Sequence, residues 1–384
     1  MKFNRAAQNS YFFCFIYLLW VFFIHICGSQ YFTLFDVDTL IKYFNGAIIL
    51  SLFTYFLFSY RVNKSALIDI ALVIVFFVGY INFRKGVLIL FFILLCRHIP
   101  FSMIIKTFMF ATLLGMLFVL FTYALNLYPE THLDLFREDG NYRYSLGYRF
   151  PTFLPNFYFH LVLCWFFLRK GKVLLGEIII ILIINYFLYE LTDTRAVFAL
   201  VTLFCIVIIF LKYLSVSYNT FILGRIFGFF TKYSFIVFCF IAIYFQYTYD
   251  PSISWLAKLN DIFSGRLALG HWGFELYDVS LFGNLVEFVS ILDASKTNKF
   301  FYIDSAYVQL LLVYGLIIYF LVMIAYTKIG KDIVSRGEKY FGIVLIFLFA
   351  HSITDPQLMS PEFNPFLLCL GYYGLAKYKE NVFK

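Results

Sequence analysis

Residues 191–213 read LTDTRAVFALVTLFCIVIIFLKY. From Ala196 to Leu211 the run carries no charge, no proline and no glycine. With its flanks it reaches the roughly 20 residues that a helix needs to cross the hydrocarbon core of a bilayer. Inside that core each backbone N–H and C=O must find an internal partner, so the run predicts a spanning helix. Arg195 stands at one end and Lys212 at the other. Cations collect on the cytoplasmic side of membrane proteins. If Lys212 obeys that rule, Arg195 breaks it, and an arginine on the far side needs another reason to be there. An anionic ligand outside the membrane supplies one.

The rest of the chain has the same character. Of its 384 residues 62% are hydrophobic and only 14% charged, with a mean hydropathy of +0.85. Soluble domains carry about 25% charged residues, so the composition predicts an all-α, polytopic membrane protein forming a single integral domain over 1–384. Spans are expected near 10–27, 40–60, 66–83, 86–97, 101–127, 152–168, 173–190, 194–213, 225–247, 304–327, 339–354 and 363–377, about twelve in all. The fourth and the last are short and read as tilted, re-entrant or partly buried segments. Lys2 and Arg5 precede the first apolar run, and no small-residue cleavage site follows it, so it reads as a retained helix.

Placing both termini in the cytoplasm makes every inner loop basic. Those loops hold Arg61 and Lys64, then Arg97 and Lys106, then Arg169, Lys170 and Lys172, then Lys212 and Arg225, then Lys328, Lys331, Arg336 and Lys339, and finally Lys377, Lys379 and Lys384. The acids Asp36, Asp38, Glu130, Asp134, Glu190 and Asp193 fall outside. The net charge of +8 is thus dispersed in short loops, which marks topology and anionic lipid rather than nucleic acid. Seven cysteines lie in apolar stretches with no CxxC pair, so neither a disulfide framework nor a zinc site is implied. The 23% aromatic share has two readings, codon usage or sugar stacking by Tyr and Trp.

The largest non-spanning segment is the outer loop 248–303. It carries Trp255, Leu256, Leu259, Ile262, Phe263, Leu267 and Phe274 at helix-like spacing, which predicts a helix on the membrane surface or over a cavity. A second outer loop, 128–151, mixes Arg143 and Arg149 with Tyr142, Tyr144 and Tyr148, a combination able to grip sugars and phosphates.

Four clusters could carry chemistry. In Leu191-Thr192-Asp193-Thr194-Arg195 the threonines can shape a tight turn. Arg195 then opens a helix whose N–H groups also favour an anion. Its alternatives are an ion pair with Asp193 or a snorkelling arginine. Ser264-Gly265-Arg266-Leu267 puts Arg266 beside the apolar stripe of the large loop, near headgroup level, or else makes it an ordinary solvated arginine. Asp304-Ser305-Ala306-Tyr307 opens a long apolar helix containing Gly315. Asp304 is there either a cap, favoured by the helix dipole, or with Tyr307 a ligand for sugar hydroxyls. His351-Ser352-Ile353-Thr354-Asp355 brings a histidine to the end of a spanning helix. Its pKa suits proton abstraction from a hydroxyl, with Asp355 as second candidate; hydrogen bonding to a neighbouring helix is the alternative. Asp36 and Asp38 form a short acidic pair of a kind that binds divalent metals. No Walker A, GxSxG or HExxH motif occurs.

The Thr-x-Thr-Arg turn at 192–195, the Ser-Gly-Arg-Leu segment at 264–267 and the Asp-Ser-x-Tyr at 304–307 follow one another in an order that resembles the O-antigen polymerase and ligase superfamily, Wzy-type polysaccharide polymerases in particular. The resemblance runs from about residue 185 onward. It implies a GT-C-like fold in the bacterial cytoplasmic membrane. It also implies transfer of a growing O-antigen, capsule or exopolysaccharide chain from undecaprenyl diphosphate to a lipid-linked repeat unit on the outer face. The diphosphate role maps to Arg195 and Arg266. The scheme needs no metal or other cofactor. Its partners are the lipid-linked oligosaccharide and membrane lipid, with a chain-length regulator and a flippase as candidate protein partners. The alternatives are a ligase of the same superfamily and a lipid-linked oligosaccharide flippase. The nearly uncharged helix interiors and the structured outer loop favour the enzyme.

Overall fold

The computed structural model describes residues 5–30, 37–59, 86–127, 135–136, 142–213, 218–219, 221–289 and 300–373. The expected helix at 66–83, Asp36, Glu130, Asp134, Arg137, the pairs Arg61/Lys64 and Arg84/Lys85, and the tail lysines lie outside the described residues. Six described helices are long and apolar enough to cross a membrane. They are α1 (Arg5–Cys27), α2 (Val37–Ser59), α4 (Phe101–Ala124), α6 (Leu175–Thr192), α7 (Arg195–Tyr213) and α8 (Phe221–Tyr247). The chain is an all-α membrane protein. Among the described residues its strands are β1 (Leu135–Phe136) and β2 (Tyr142–Arg143), an antiparallel pair with Leu135 opposite Arg143.

The chain divides into two compact units. The first comprises Met1–Val62, Phe91–Ser217 and Glu362–Lys384. Here α1 packs along α4, which starts directly after Pro100, where the proline ring presets the backbone and needs no N–H partner. Helix α5 (Phe153–Arg169) is the buried element of this unit. Leu154 through Cys164 are all buried, as are Phe166 and Phe167, as befits a helix apolar all round. It contacts α4, α6 and α7. The short apolar α3 (Gly86–Leu95) follows the undescribed stretch. The expected helix at 363–377 is instead a 3-10 turn, Pro365–Cys369, leading into α14 (Leu370–Tyr373). Asn364 caps that turn through the Phe366 N–H at 3.1 Å.

The second unit comprises Asn63–Leu90 and Tyr218–Pro361. The large loop holds two helices, α9 (Ser254–Ile262) and α10 (Arg266–Leu276), jointed where Ser264 and Gly265 take left-handed backbone angles (φ 55° and 82°). The α10 helix packs on the end of α8. His271 Nδ1 lies 3.2 Å from the Gln246 carbonyl and 3.1 Å from that of Tyr247, so Nδ1 carries the proton and donates to the helix end. Beyond it come α11 (Ala306–Leu312), α12 (Gly315–Arg336) and α13 (Lys339–His351). Phe235 of α8, Tyr307, Tyr326 and Phe349 form the aromatic centre, with ring centroids 4.8–5.4 Å apart in the pairs that touch.

Two expectations are corrected in this unit. The single helix expected at 304–327 is broken at Val313 and Tyr314. The loop segment around Gly283 crosses the break and takes over its backbone groups. Asn284 donates both its N–H and its Nδ2–H to the Leu312 carbonyl at 2.9 Å, while the Leu316 and Ile317 N–H groups donate to Ser280 and Leu281 carbonyls at 3.0 and 3.2 Å. Gly283 (φ 80°) and Gly315 (φ 84°) permit the crossing, because a Cβ on either would collide with the other segment's backbone. Broken helices survive in membranes only when their freed groups are satisfied in this way. Secondly, the basic stretch expected as a loop at 328–339 continues α12 as far as Arg336. Ile329 and Ile333, four residues apart, are buried on one face, and Gly337 (φ 71°) ends the helix.

Candidate functional site

Three of the four clusters read from the sequence meet at one end of the second unit. Arg266 opens α10 directly after the Gly265 joint, and its Nε lies 3.4 Å from a carboxylate oxygen of Asp304. Both side chains are about one-quarter exposed (24% and 27%). Burial raises the Asp304 carboxyl above its ordinary range, and the Arg266 charge opposes that shift only in part. The Tyr302 phenol is also raised, first by burial and then by the negative charges of Asp304 and Asp355, so both carboxylates lie within electrostatic reach of it.

The third cluster is tied in through the backbone. The Ala306 N–H donates to the Ser352 carbonyl at 3.0 Å, and the 3-10 turn Pro356–Met359 packs on α11. Asp355 caps that turn, its carboxylate accepting the Gln357 N–H at 3.1 Å. His351, the last residue of α13, is buried, and its carbonyl receives the Thr354 N–H. The expectation that Asp304 caps the following helix is corrected. Ser305 occupies the N-cap position and makes no side-chain cap bond, while the Asp304 carboxylate faces Arg266. Tyr307 is wholly buried, and its hydroxyl donates to the Phe349 carbonyl at 2.9 Å. It therefore holds α11 against α13 rather than facing a sugar. Three buried polar atoms here, Arg266 Nε, Ser305 Oγ and Gln357 Oε1, have no hydrogen-bond partner among the described residues.

The fourth cluster lies in the first unit. Asp193 takes a left-handed angle (φ 44°) between α6 and α7. Thr192 Oγ1 donates back to the Leu188 carbonyl at 2.6 Å and lies 3.0 Å from Thr194 Oγ1. Arg195 spans both Asp193 oxygens at 3.1 and 3.3 Å, with half of its side chain exposed. Arg143 Nε donates to the Thr192 carbonyl at 2.8 Å, and the Tyr144 N–H to that of Leu191 at 2.9 Å, so β2 clasps the end of α6. Arg149 sits elsewhere in this unit. Its N–H donates to the Gly28 carbonyl, and its guanidinium rests over the Phe150 ring.

Sequence reasoning missed a buried polar set in this unit. His25 Nδ1 lies 2.9 Å from the Tyr148 hydroxyl, and Gln30 Nε2 donates to Ser145 Oγ at 3.0 Å. The His25 ring stacks on Phe157 at 3.9 Å, and its Nε2 has no hydrogen-bond partner among the described residues. A histidine near the end of a spanning run was the available signal, the same one that drew attention to His351.

Chemically, the second unit offers a guanidinium fork for an anion and, facing it, a carboxylate that holds its proton unusually well. No family model, no curated protein and no solved structure matches this chain.

Proposed function

We propose that this chain is a Wzy-type polymerase of lipid-diphosphate-linked oligosaccharide repeat units, with a GT-C-like arrangement of about twelve spans in the bacterial cytoplasmic membrane and its long loops outside. The observation that carries the reading is the Arg266–Asp304 pair, set beside Tyr302 and Asp355 with the unsatisfied Ser305 Oγ and Gln357 Oε1 nearby. An arginine and a partly buried carboxylate at one site suit a reaction that expels a diphosphate and removes a proton.

In the proposed step the acceptor hydroxyl oxygen bonds to the anomeric carbon of the growing glycan. The bond from that carbon to the diphosphate oxygen breaks, and its electron pair leaves with the diphosphate. Arg266 stabilises the charge developing on that leaving group more than it stabilises the bound donor, which is what lowers a barrier. As the diphosphate draws the guanidinium away, Asp304 is freed to accept the hydroxyl proton. The base role thus moves from His351, which is buried, and Asp355, which is engaged as a cap, to Asp304. Arg195 is a second candidate anion ligand, in the other unit.

The test is reconstitution of the purified protein in lipid nanodiscs with a lipid-linked repeat unit. A ladder of products lengthening by whole repeats is expected. Transfer of glycan only to a different acceptor would replace the reading with a ligase. In proteoliposomes, movement of the substrate across the bilayer with no new glycosidic bond would replace it with a flippase.

A further inference from the structure

The α8 helix presents exposed aromatic and aliphatic side chains along its length, among them Ile222, Phe229, Phe240 and Tyr247. That is the surface of a helix facing lipid. The chain leaves this span at Tyr247, yet it does not run away from the membrane. Trp255, in the first turn of α9, touches Phe245 with ring centroids 6.1 Å apart in an edge-to-face contact. Phe245 lies inside the spanning segment Ile222–Tyr247. The start of α9 has therefore turned back to the depth of the last turn of α8.

The faces of α9 are segregated. Trp255 and Ile262, seven residues apart and so nearly aligned on a helix, are 56% and 74% exposed. Leu259 lies on the same side and Leu256 turns inward. Lys258 borders Ile262 on this side and Asp261 lies farther round the helix, both exposed. A helix whose exposed side carries Trp and Ile beside a lysine long enough to reach the headgroups, with the acid farther round, matches the pattern of one lying in the plane of the membrane interface. Trp is moreover the residue most at home there, with an apolar body and one N–H donor.

We propose that α9 is an interfacial helix, lying in the headgroup region of the bilayer that α8 crosses, with Trp255 and Ile262 directed into lipid and Asp261 into water. The occupant of this apolar face is the lipid itself, because the face continues the lipid-facing surface of α8 through the Trp255–Phe245 contact. The inference is independent of the reaction assigned to Arg266.

The experiment uses the full chain in phosphatidylcholine–phosphatidylglycerol nanodiscs. All seven native cysteines are buried, which favours selective labelling of an added one. Nitroxide labels are placed singly by Ile262→Cys, Trp255→Cys and Asp261→Cys, and collisions with oxygen and with a water-soluble nickel chelate are compared. The ratio of oxygen to nickel collisions is expected above one at 262 and 255 and below one at 261. Equal nickel access at all three positions would put α9 in water and overturn the proposal. Protection of 262 from both reagents would mean that protein covers the face. Dipolar broadening between labels would then identify a second copy, and either result sinks the proposal. Trp255→Cys keeps the test intact should Ile262→Cys fail to fold.

Discussion

Each unit carries an arginine paired with an aspartate, and the two pairs differ in kind. In the first unit Arg195 and Asp193 are two residues apart in one turn; the aspartate is covered (13% exposed), but half of the arginine side chain is in solvent. In the second unit Arg266, at the start of α10, is held against Asp304, at the approach to α11, and each is about three-quarters covered. A local pair whose arginine is half in solvent contributes about 0–1 kcal/mol. A partly buried pair also carries a desolvation cost, and here that cost outweighs the partner's help, since Asp304 still holds its proton above the ordinary range. A fold retains such an arrangement against stability when the groups do something else. The local pair finishes a turn; the distant pair is the proposed site.

The comparison can be broken or sharpened by substitution. The largest effect is expected from Asp304→Asn, which removes the proposed base and should slow transfer by about 10²–10⁴-fold. The wild-type rate should fall on the acid side at a pH above the ordinary aspartate value of about 3.9, and the Asn variant should lose that limb. The sign of the stability effect follows from the same shift. A carboxyl with a raised folded-state pKa stabilises the fold while protonated, and that contribution is lost as pH rises through the folded pKa. Asp304→Asn should therefore be no less stable than wild type at neutral pH by thermal melting. An inactive but undiminished variant marks a functional group, whereas an active one would reduce the pair to packing.

Next comes Arg266→Ala, expected to cost about 30- to 1000-fold in transfer rate, or roughly 2–4 kcal/mol. Arg266→Lys should restore only part of it, because the planar fork is lost. Gly315→Ala should lower stability by about 2–4 kcal/mol, combining a left-handed backbone angle with a collision against the segment at Gly283. It should reduce activity as well, because that crossing anchors the loop bearing Arg266. Wild-type melting of Gly315→Ala would contradict the interlock. The smallest effect is expected from Asp193→Asn. Asn tolerates the left-handed angle, and only a pair whose arginine is half in solvent is lost, so stability should change by less than about 1 kcal/mol.

What could be read in advance divides along the same line. The helices at 173–190 and 194–213 were legible because a span is a local property of about 20 residues. The turn at 192–195 was legible because Thr, Asp and Arg interact within five residues. The break at Val313 was not legible, because hydropathy runs through it unchanged and its cause sits about thirty residues earlier, at Gly283. Lys328 and Lys331 suggested a loop, while the alternating Ile329 and Ile333 keep the helix going by burial on one face. Arg266 and Asp304 were each picked out, but nothing local pairs them. His25 carried the signal of a histidine near the end of a spanning run, but nothing local pairs it with Tyr148, 123 residues away.

The central claim is that the distant pair, and not the local one, meets the diphosphate. Single-turnover transfer from a labelled lipid-diphosphate donor, measured for Arg266→Ala and Arg195→Ala in the same nanodiscs, tests it most directly. The expected result is a loss of about 30-fold or more for Arg266→Ala and a clearly smaller loss for Arg195→Ala. Equal losses, or a larger one at Arg195, would contradict the account and move the anion site to the turn in the first unit.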